Sequence, residues 1–366
     1  ENELSDLALR YDLTVPLARV IANNRNELPR FFKRYQIQPV WRADRPARGR
    51  YREFYQCDVD AIGSGSMLAE AELCSAICDI FDELGFEDYA IRVNDRRLLF
   101  AVIDASGIDE DLANRAVVVL DKLDKIGFEK VADELKAIGV SGEAAGALIG
   151  LLKKIEGKSN SDVIRDVSSF TSGNETADES IRDLESILSL AKSDKMAIDV
   201  SLARGLSYYT GAIFEVILTG DDFSGSVTGG GRYDGLIGMF GKEKIPAVGL
   251  SIGLERILLV MDEREMFPEK LTDSPADVMV ALWNEDTIPH ALQLAGKLRE
   301  SGLRVLVYPQ PDKLGKQFKY ADQVAVKYVC ILGESEIEES SVSIKNLATG
   351  EQQSVPLGEA VAFLVQ

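Results

Sequence analysis

Histidine and cysteine are scarce in this chain, whose 366 residues include one histidine, His290, and four cysteines. Cys74 and Cys78 lie one helical turn apart, but no second cysteine pair and no nearby histidine completes a zinc site. We therefore expect no structural metal. We also expect reduced cysteines, as in a cytosol-like compartment, rather than disulfides.

Long apolar runs and an excess of positive charge are also missing. No run approaches the ~18 residues that cross a bilayer, so no membrane partner is expected. The net charge of −19 argues against nucleic acid covering the whole surface, while local Arg and Lys clusters still allow local recognition. The chain begins at Glu1 and not at Met, from which we infer a missing N-terminal part. A mitochondrial signal is therefore not assessable, and we expect a cytoplasmic protein.

The most unusual stretch is 41–63, WRADRPARGRYREFYQCDVDAIG, which holds five arginines. Its second half alternates with period two, which predicts a strand that carries Phe54, Gln56, Asp58 and Asp60 on one face. Arginine favours bidentate contact with phosphate and carboxylate oxygens. The stretch therefore indicates a site for a polyanionic small molecule, with a solvated surface hairpin as the alternative.

Periodicity divides the chain into regions. Strand signals cease between 108 and 195, where Lys, Glu, Asp, Ala and Leu recur at helical spacing, which predicts a helical insertion. Beyond a proline-containing linker, strands and helices alternate, which predicts a separate small α/β domain. The predicted boundaries are 1–107 and 196–261 for the two parts of the main domain, 108–195 for the insertion, 262–275 for the linker and 276–366 for the last domain.

Two local patterns lie close to the expected site. Arg10, Asp12 and Thr14 alternate with apolar residues, which predicts a strand end whose polar side lines something, and Pro16 predicts a helix start. Three successive glycines, 229–231, lack the strand–loop–helix context of a dinucleotide-binding loop. They predict a close backbone approach or a bulge instead.

Arg256 carries its positive charge at the end of a predicted helix where the helix dipole is also positive. Leu254–Glu263 is a predicted helix, and Arg256 stands in its first turn, where a positive charge opposes the macrodipole. This position favours an anion in a cleft over a contribution to helix stability.

Taken together, these motifs resemble the class II aminoacyl-tRNA synthetases, and within them the histidyl-tRNA synthetase family, over nearly the whole chain. Two departures stand out: Ser207 occupies a position where the family usually has Asp, and the first class II motif is not visible. The matching stretches are 41–60 for the second class motif, GLSIGLERI at 249–257 for the third, and LRYDLT at 9–14, ARGLSYYTGAIFE at 203–215 and GGGRYDGL at 229–236 for the histidine-specific signatures.

The resemblance implies an α+β fold with a mixed, mostly antiparallel sheet flanked by helices, the helical insertion, and a C-terminal α/β anticodon-binding domain. It implies a histidine–tRNA ligase that activates histidine with ATP to histidyl-adenylate and pyrophosphate, then transfers histidine to the 3′ end of tRNA(His). ATP would come as its Mg²⁺ complex, and the protein would be a homodimer.

The resemblance also implies roles for individual residues. The ATP-binding set is Arg42 at the α-phosphate, Asp44 at the adenine amino group, Arg50, Phe54 stacked on the ring, and Arg256 near the γ-phosphate. The histidine-binding set is Asp12, Thr14 and Gln56 for the ammonium, Asp60 and Tyr209 for the imidazole nitrogens, Tyr208 in the wall, and Arg204. The catalytic set is Arg204, Arg42 and Gln56, and it includes no metal ligand.

Three alternatives stay open at this level. A non-catalytic paralogue that senses histidine or uncharged tRNA would keep the fold, but such paralogues tend to lose phosphate-binding arginines or the anticodon domain. The helical insertion is either an approach to the tRNA acceptor end or a packing appendage. A polar helix entry in the last domain is either a tRNA face or a solvated helix start; it comprises Lys313, Lys316, Gln317 and Lys319.

Overall fold

The computed structural model describes residues 7–203, 208–220, 223, 225–241, 243–268 and 274–365. They form two compact units, one up to Arg264 and one from Glu265 onward. No helix in these ranges is both long and apolar enough to cross a membrane.

The first unit is built on a sheet of seven strands among the described residues. The strands are β1 (Phe32–Trp41), β2 (Glu53–Ile62), β3 (Tyr89–Asp95), β4 (Met196–Ile198), β5 (Ala212–Leu218), β6 (Ser226–Arg232) and β7 (Ala247–Gly253). They lie in the order β1-β2-β7-β6-β5-β3-β4. Neighbouring strands are antiparallel except β3 and β4. This sheet, flanked by helices, confirms the predicted fold class.

Helices surround the sheet and fill the sequence between β3 and β4. They are α1 (Thr14–Asn23), α2 (Leu68–Glu83), α3 (Arg96–Ala105), α4 (Glu110–Leu120), α5 (Leu123–Ala137), α6 (Gly142–Ile155), α7 (Asn160–Phe170), α8 (Glu175–Ala191) and α9 (Leu254–Glu263). Side chains of Asp95, Ser141, Ser159 and Asn174 accept backbone N–H groups at the starts of α3, α6, α7 and α8, which satisfies donors that a helix start leaves unpaired. The domain boundaries given above stay a prediction.

The predicted alternation of the second motif strand is confirmed. In β2, Gln56, Asp58 and Asp60 are buried while Glu53 and Tyr55 are exposed. β1 and β7 pair with β2 along its two edges. The face of β2 that carries the polar side chains is turned toward the interior, which explains their burial. β2, the second strand in the sheet order, thus carries three buried polar side chains.

The strand end predicted at residues 10–14 is wrong. Residues 7–13 are irregular, and α1 begins at Thr14, two residues before Pro16. The carboxylate of Asp12 accepts the backbone N–H of Val15 at 3.2 Å. A local side-chain cap of this kind competes with extended backbone, and here it begins a helix where the alternation had indicated a strand.

The second unit is an α/β unit with its own core. Its elements are β8 (Val278–Leu282), α10 (Ile288–Glu300), β9 (Val305–Val307), α11 (Leu314–Gln323), β10 (Tyr328–Leu332), α12 (Glu334–Glu338), β11 (Ser341–Asn346), β12 (Gln352–Pro356) and α13 (Ala360–Val365). The sheet order is β12-β11-β10-β8-β9, with β9, β8 and β10 parallel. Alternate residues of β8 pack on opposite faces, Val280 toward α10 and Met279 toward α11.

One residue of the predicted tRNA face lies elsewhere. Gln317 is fully buried. Its amide accepts the N–H of Leu282 at 2.9 Å and donates to the carbonyls of Leu282 at 2.8 Å and Asp312 at 2.7 Å. Gln317 therefore connects α11 to the end of β8, because the last backbone groups of that strand need hydrogen-bond partners when they are buried. The side chain of Gln317 is thus not available to RNA. Lys313, Lys316 and Lys319 are exposed.

Candidate active site

A pocket of about 330 Å³ opens over β2, β6 and β7, between the starts of α1 and α9. Its size is within the range of small-molecule sites. Arg204 lies outside the described residues, and Asp60 lies beneath the pocket floor. The other predicted site residues all line it: Asp12, Thr14, Arg42, Asp44, Arg50, Phe54, Gln56, Tyr208, Tyr209 and Arg256.

Arg42 is fixed by contacts on several sides. Its Nε donates to the carbonyl of Tyr11 at 3.2 Å, and one terminal nitrogen donates to Oε1 of Gln56 at 3.3 Å. The guanidinium lies 4.4 Å from the ring centroid of Tyr11 and 5.0 Å from that of Phe54, where cation–π attraction adds to the hydrogen bonds. None of these partners is a carboxylate, so the charge of Arg42 is positioned for an anion.

Gln56 is held in one orientation by its neighbours. Its Nε2 donates to Oγ of Ser251 at 2.7 Å and to Oδ1 of Asp58 at 3.2 Å, while Oε1 accepts from Arg42. The amide thus connects the arginine above it to the buried carboxylate behind it. Both ends of the amide are engaged, which fixes its orientation, and a second lone pair of the carbonyl oxygen can still accept a hydrogen bond.

Asp60 is the most enclosed of the predicted ligands, with 2% of its surface exposed. Oδ1 accepts the hydroxyl of Tyr233 at 2.5 Å, and Oδ2 accepts from Arg34 at 3.0 Å. A Cβ added to Gly249 would stand 2.1 Å from Oδ1 of Asp60, so only glycine fits opposite this carboxylate. Tyr233 and Gly249 line the pocket, and Asp60 supports the floor through them.

Burial raises the pKa of three carboxylates here, Asp12, Asp58 and Asp60. Burial raises the pKa of Asp58 to about 7, although Ser251 and Arg34 oppose the shift and the charge of Asp60 adds to it. Burial likewise raises the pKa of Asp12, against the Val15 N–H and Arg42. A bound ammonium group would stabilise the charged form of such carboxylates, because it replaces the hydration that burial removes.

Two tyrosines close the side of the pocket. The rings of Tyr208 and Tyr209 stack edge-on with centroids 4.9 Å apart, and Tyr208 also meets Tyr233 at 6.1 Å. Burial, together with the charge of Asp12, raises the pKa of Tyr208 to about 12. Both hydroxyls therefore stay protonated near neutrality and can donate or accept a hydrogen bond.

The opposite end of the pocket lies at the junction of β7 and α9. Arg256 donates through Nε to the carbonyl of Gly49 at 3.0 Å and through a terminal nitrogen to that of Ser226. The neighbouring Glu255 accepts the N–H of Tyr55 at 2.6 Å through Oε1. Among the described residues, Oε2 of Glu255 and Oγ1 of Thr228 are buried without a partner.

Several residues of the site were not assigned roles from the sequence. Tyr233 and Ser251 lie within the quoted motifs GGGRYDGL and GLSIGLERI, so the motifs themselves carried that signal. Glu255 also lies within GLSIGLERI, in the first turn of α9. Arg34 and Thr228 are brought in by strand pairing and had no local pattern that assigned them.

The arrangement joins two chemical environments in one pocket. Arg42, Arg50 and Arg256 supply positive charge at one end, and Asp12, Thr14, Gln56 and the tyrosines supply acceptors and hydroxyls at the other. Among the described residues, no group of three or more His, Cys, Asp or Glu side chains could hold a metal ion. The pocket could therefore hold an anionic group at one end and a cationic group at the other.

The family model described as histidyl-tRNA synthetase matches residues 2–257, and the one described as anticodon binding domain matches residues 277–366. The chain belongs to the histidyl-tRNA synthetase family. The family predicted from the motifs is thereby confirmed.

Curated relatives are similar along most of their length. A protein of Porphyromonas gingivalis named histidine–tRNA ligase is 45% identical over 358 residues, covering 96% of this chain and 77% of the relative. One of Cytophaga hutchinsonii with the same name is 41% identical over 368 residues, covering 99% and 80%.

Solved structures share the fold. The histidyl-tRNA synthetase of a Nostoc species aligns with a TM-score of 0.83 and 33% identity, covering 98% of this chain and 83% of that one. A Bacillus halodurans protein titled an ATP phosphoribosyltransferase regulatory subunit/histidyl-tRNA synthetase aligns at 0.71 with 22% identity, covering 88% and 80%. At 22% identity, the similarity to the Bacillus halodurans structure concerns the fold alone.

Proposed function

We propose that this chain is a histidine–tRNA ligase, which activates histidine with ATP and then transfers it to tRNA(His). The observation that carries the proposal is the convergence of Arg42 and Arg256 with Asp12 and Gln56 in one pocket. Such a pocket suits a triphosphate beside an amino acid. The names of relatives 41% and 45% identical to the chain support the same activity.

We assign the cationic end of the pocket to ATP. Arg42 has no carboxylate partner among its hydrogen bonds to the described residues and would bind the α-phosphate, while Arg50 and Arg256 would bind the outer phosphates. Phe54 would stack on the adenine ring, whose amino group would donate to Asp44. Guanidinium groups suit this role because their planar donors match phosphate oxygens in pairs.

We assign the acceptor end to histidine. Asp12, Thr14 and Gln56 would accept from the ammonium, and Tyr209 would meet one imidazole nitrogen, with Tyr208 in the wall. Asp60 lies beneath the floor and would act on the imidazole through Tyr233, whose hydroxyl it holds. The buried contacts of Asp60 with Tyr233 and Arg34 support a carboxylate of fixed position. An amino acid without matching groups would leave these buried atoms unpaired, which can discriminate ~10⁴-fold.

In the first step, a carboxylate oxygen of histidine forms a bond to the α-phosphorus, and the bond from that phosphorus to the bridging oxygen breaks. Pyrophosphate leaves with the electron pair, and histidyl-adenylate remains. Attacking group and target are both anionic, so positive charge and positioning matter more than an acid or base. Arg42 supplies that charge here, and Arg204 is proposed to act with it from outside the described residues.

A magnesium ion that accompanies the outer phosphates fits the residues present. Mg²⁺ binds through one or two carboxylates together with substrate phosphates and waters. Glu255 would hold it, because its Oε2 is buried in the pocket wall without a partner among the described residues. The ion would neutralise charge on the departing pyrophosphate.

In the second step, a terminal ribose hydroxyl of the tRNA forms a bond to the carbonyl carbon of the adenylate. AMP leaves with the electron pair of the broken carbon–oxygen bond, and the hydroxyl proton is released. We propose that the second unit binds the anticodon through Lys313, just before α11, and Lys316 and Lys319 on it, all three of which are exposed. We also propose that the helices between β3 and β4 approach the acceptor end.

We further propose that the chain works as a homodimer in the cytoplasm. The edge strand β1 exposes Tyr35 at 79% and Ile37 at 54%, and Tyr55 of β2 beside them is 44% exposed. An apolar face on an edge strand suits burial against a second copy. Four free cysteines agree with a reducing compartment.

The experiment that tests this proposal is ATP–pyrophosphate exchange, measured with each of the twenty amino acids in turn. We expect exchange with histidine and only background with the others. Histidine that binds by calorimetry without supporting exchange would instead identify a non-catalytic histidine sensor.

A further inference from the structure

Arg34 lies on the edge strand β1 and does not line the reaction pocket. Its side chain is only 10% exposed. The strand register places three polar residues of β1 opposite three of β2, in the pairs Arg34 with Asp60, Gln36 with Asp58 and Gln38 with Gln56. Side chains that are directly opposite on antiparallel strands share one face of the sheet. A second row of polar side chains therefore runs alongside the polar row of β2.

The guanidinium of Arg34 joins two separate parts of the chain. Its Nε donates to Oδ2 of Asp60 at 3.1 Å, and Nη2 lies 3.0 Å from the same oxygen. Nη2 also donates to the backbone carbonyl of Leu13 at 3.1 Å. Leu13 lies between Asp12 and Thr14, both of which line the pocket. One side chain thus connects the support beneath the pocket floor with the segment that we assign to the ammonium group.

A third contact fixes the plane of this guanidinium. Nη1 of Arg34 donates to Oε1 of Gln36, and Nε2 of Gln36 donates to Oε1 of Gln38 at 3.0 Å. All three guanidinium nitrogens therefore have partners, and these partners lie in three different parts of the structure. The rigid planar fork of arginine can hold such a set, whereas the single ammonium of lysine on its flexible stem cannot fix all three directions.

Arg34 also supplies positive charge to the buried carboxylates of β2. Burial raises the pKa of Asp60, and Arg34 opposes that rise through its charge and its hydrogen bond. Burial also raises the pKa of Asp58 to about 7, where Ser251 and Arg34 oppose the rise and the charges of Asp60 and Asp12 add to it. A neutral residue in place of Arg34 would therefore favour uncharged carboxyl groups where a bound ammonium needs negative charge.

We propose that Arg34 is a positioning residue for histidine, which holds the support of the imidazole and the ammonium-binding segment in one fixed relation. The proposal rests on the ligase function proposed above. Arg34 does not touch the ligand, and it acts through Asp60 on one side and through the carbonyl of Leu13 on the other. A ligand that uses both ends of the site should therefore depend on Arg34 more than a ligand that uses one end.

The test compares two such ligands. Histidine carries an imidazole ring and an ammonium group, whereas imidazolepropionate has the same ring and carboxylate without the ammonium. The ratio of their dissociation constants therefore reports what the ammonium end contributes. Both constants and that of ATP are measured by calorimetry, with displacement by histidine for the weaker ligand. The proteins are the unaltered chain, Arg34→Gln, Arg34→Lys and Asp60→Asn.

The two sites of substitution should give different patterns. Asp60→Asn alters the support of the imidazole, so we expect both ligands to bind about tenfold more weakly and their ratio to stay within about twofold. Arg34→Gln also removes the charged donor to Leu13, so histidine should lose about tenfold more affinity than imidazolepropionate, the worth of one hydrogen bond from a charged group. Arg34→Lys should recover part of that loss, because it keeps the charge but not the fork.

Lys33→Ala is the matched control. Lys33 is the preceding residue of β1, its side chain lies on the opposite face of the strand, and it pairs with Glu72 in solvent. This variant should bind both ligands as the unaltered chain does. The affinity for ATP should stay within about twofold in every variant, and thermal unfolding of each variant separates lost positioning from misfolding.

Equal losses for histidine and imidazolepropionate in Arg34→Gln would overturn the proposal, because Arg34 would then act through Asp60 alone. No loss for either ligand would overturn it as well. A parallel loss of ATP binding would show that Arg34 acts through the fold and would also overturn it. If the unaltered chain binds histidine without supporting pyrophosphate exchange, the ligase function fails, while the two-ligand comparison still decides whether Arg34 positions histidine.

Discussion

The hydroxyl of Tyr233 donates a 2.5 Å hydrogen bond to Oδ1 of Asp60, and both side chains are almost completely buried. The bond joins the residue after β6 to the polar face of β2. Arg34 of β1 completes the group by pairing with the other carboxylate oxygen. Three separate parts of the chain thus fix one carboxylate beneath the end of the pocket that we assign to histidine.

Asp60→Asn should weaken histidine selectively. The substitution keeps the shape but removes the charge that holds Tyr233 and Arg34 beneath the pocket, so we expect the KM for histidine in pyrophosphate exchange to rise about tenfold, the worth of one charge-assisted hydrogen bond. The KM for ATP should stay within about twofold. Equal increases in both constants would show that Asp60 is misassigned.

Asp58→Asn should change how stability depends on pH. The folded-state pKa of about 7 lies above the ordinary 3.8, so between these values the folded protein holds a proton that the unfolded chain has lost. Stability from this group is therefore present below pH 4 and is lost as pH rises to 7, by at most about 4 kcal/mol at 1.36 kcal/mol per pKa unit.

The measurement is the free energy of unfolding of both proteins between pH 5 and 8.5. Asp60, Arg34 and Asp12 act electrostatically on Asp58 and are common to both proteins, so the comparison uses the difference between them. That difference should shift in favour of Asp58→Asn as the pH rises. A constant difference would mean that Asp58 does not titrate in this range.

Glu70 and Glu72 provide a buried and an exposed ion pair on the same helix. Glu70 is fully buried against Arg232 at 2.5 Å, whereas Glu72 meets Lys33 in solvent. Glu70→Ala should lower the free energy of unfolding by about 3–5 kcal/mol, because it removes the buried partner of Arg232 and leaves it only Asp234, at 3.1 Å, as a counter-charge. Glu72→Ala should cost less than about 1 kcal/mol. Similar losses in thermal unfolding would contradict this distinction.

Two neighbouring residues of α11 should separate stability from RNA binding. Gln317→Ala removes three hydrogen bonds to buried backbone and should destabilise the second unit by about 2–3 kcal/mol. Lys319→Ala should leave thermal unfolding unchanged but weaken tRNA binding and reduce its salt dependence by about one phosphate contact. A reversed pattern would mean that the tRNA face lies elsewhere.

These residues also mark how far the sequence could predict the structure. The polar face of β2 was predictable because its signal has period two and lies within nine residues. The partners of Asp60 were not, since Arg34 and Tyr233 reach it only through strand pairing across the sheet. Most of the site could be named from its motifs, while its hydrogen-bond network depends on these distant contacts.

Two local errors have physical causes of the same kind. Asp12 followed an alternating pattern, but its carboxylate accepts the N–H of Val15 in the first turn of α1, so the chain is helical from Thr14 onward. Gln317 stood among exposed lysines, but α11 packs against β8 and needs a buried side chain that can pair with Leu282. In both places, a side-chain hydrogen bond to backbone outweighed the pattern around it.

The most direct test of the ligase function is the transfer of labelled histidine to a tRNA(His) transcript in the presence of ATP and Mg²⁺. We predict ATP-dependent labelling of the RNA, with one AMP released for each histidine attached, and no labelling by Arg42→Ala. Histidine and tRNA that both bind, without labelled RNA and without AMP release, would contradict the account.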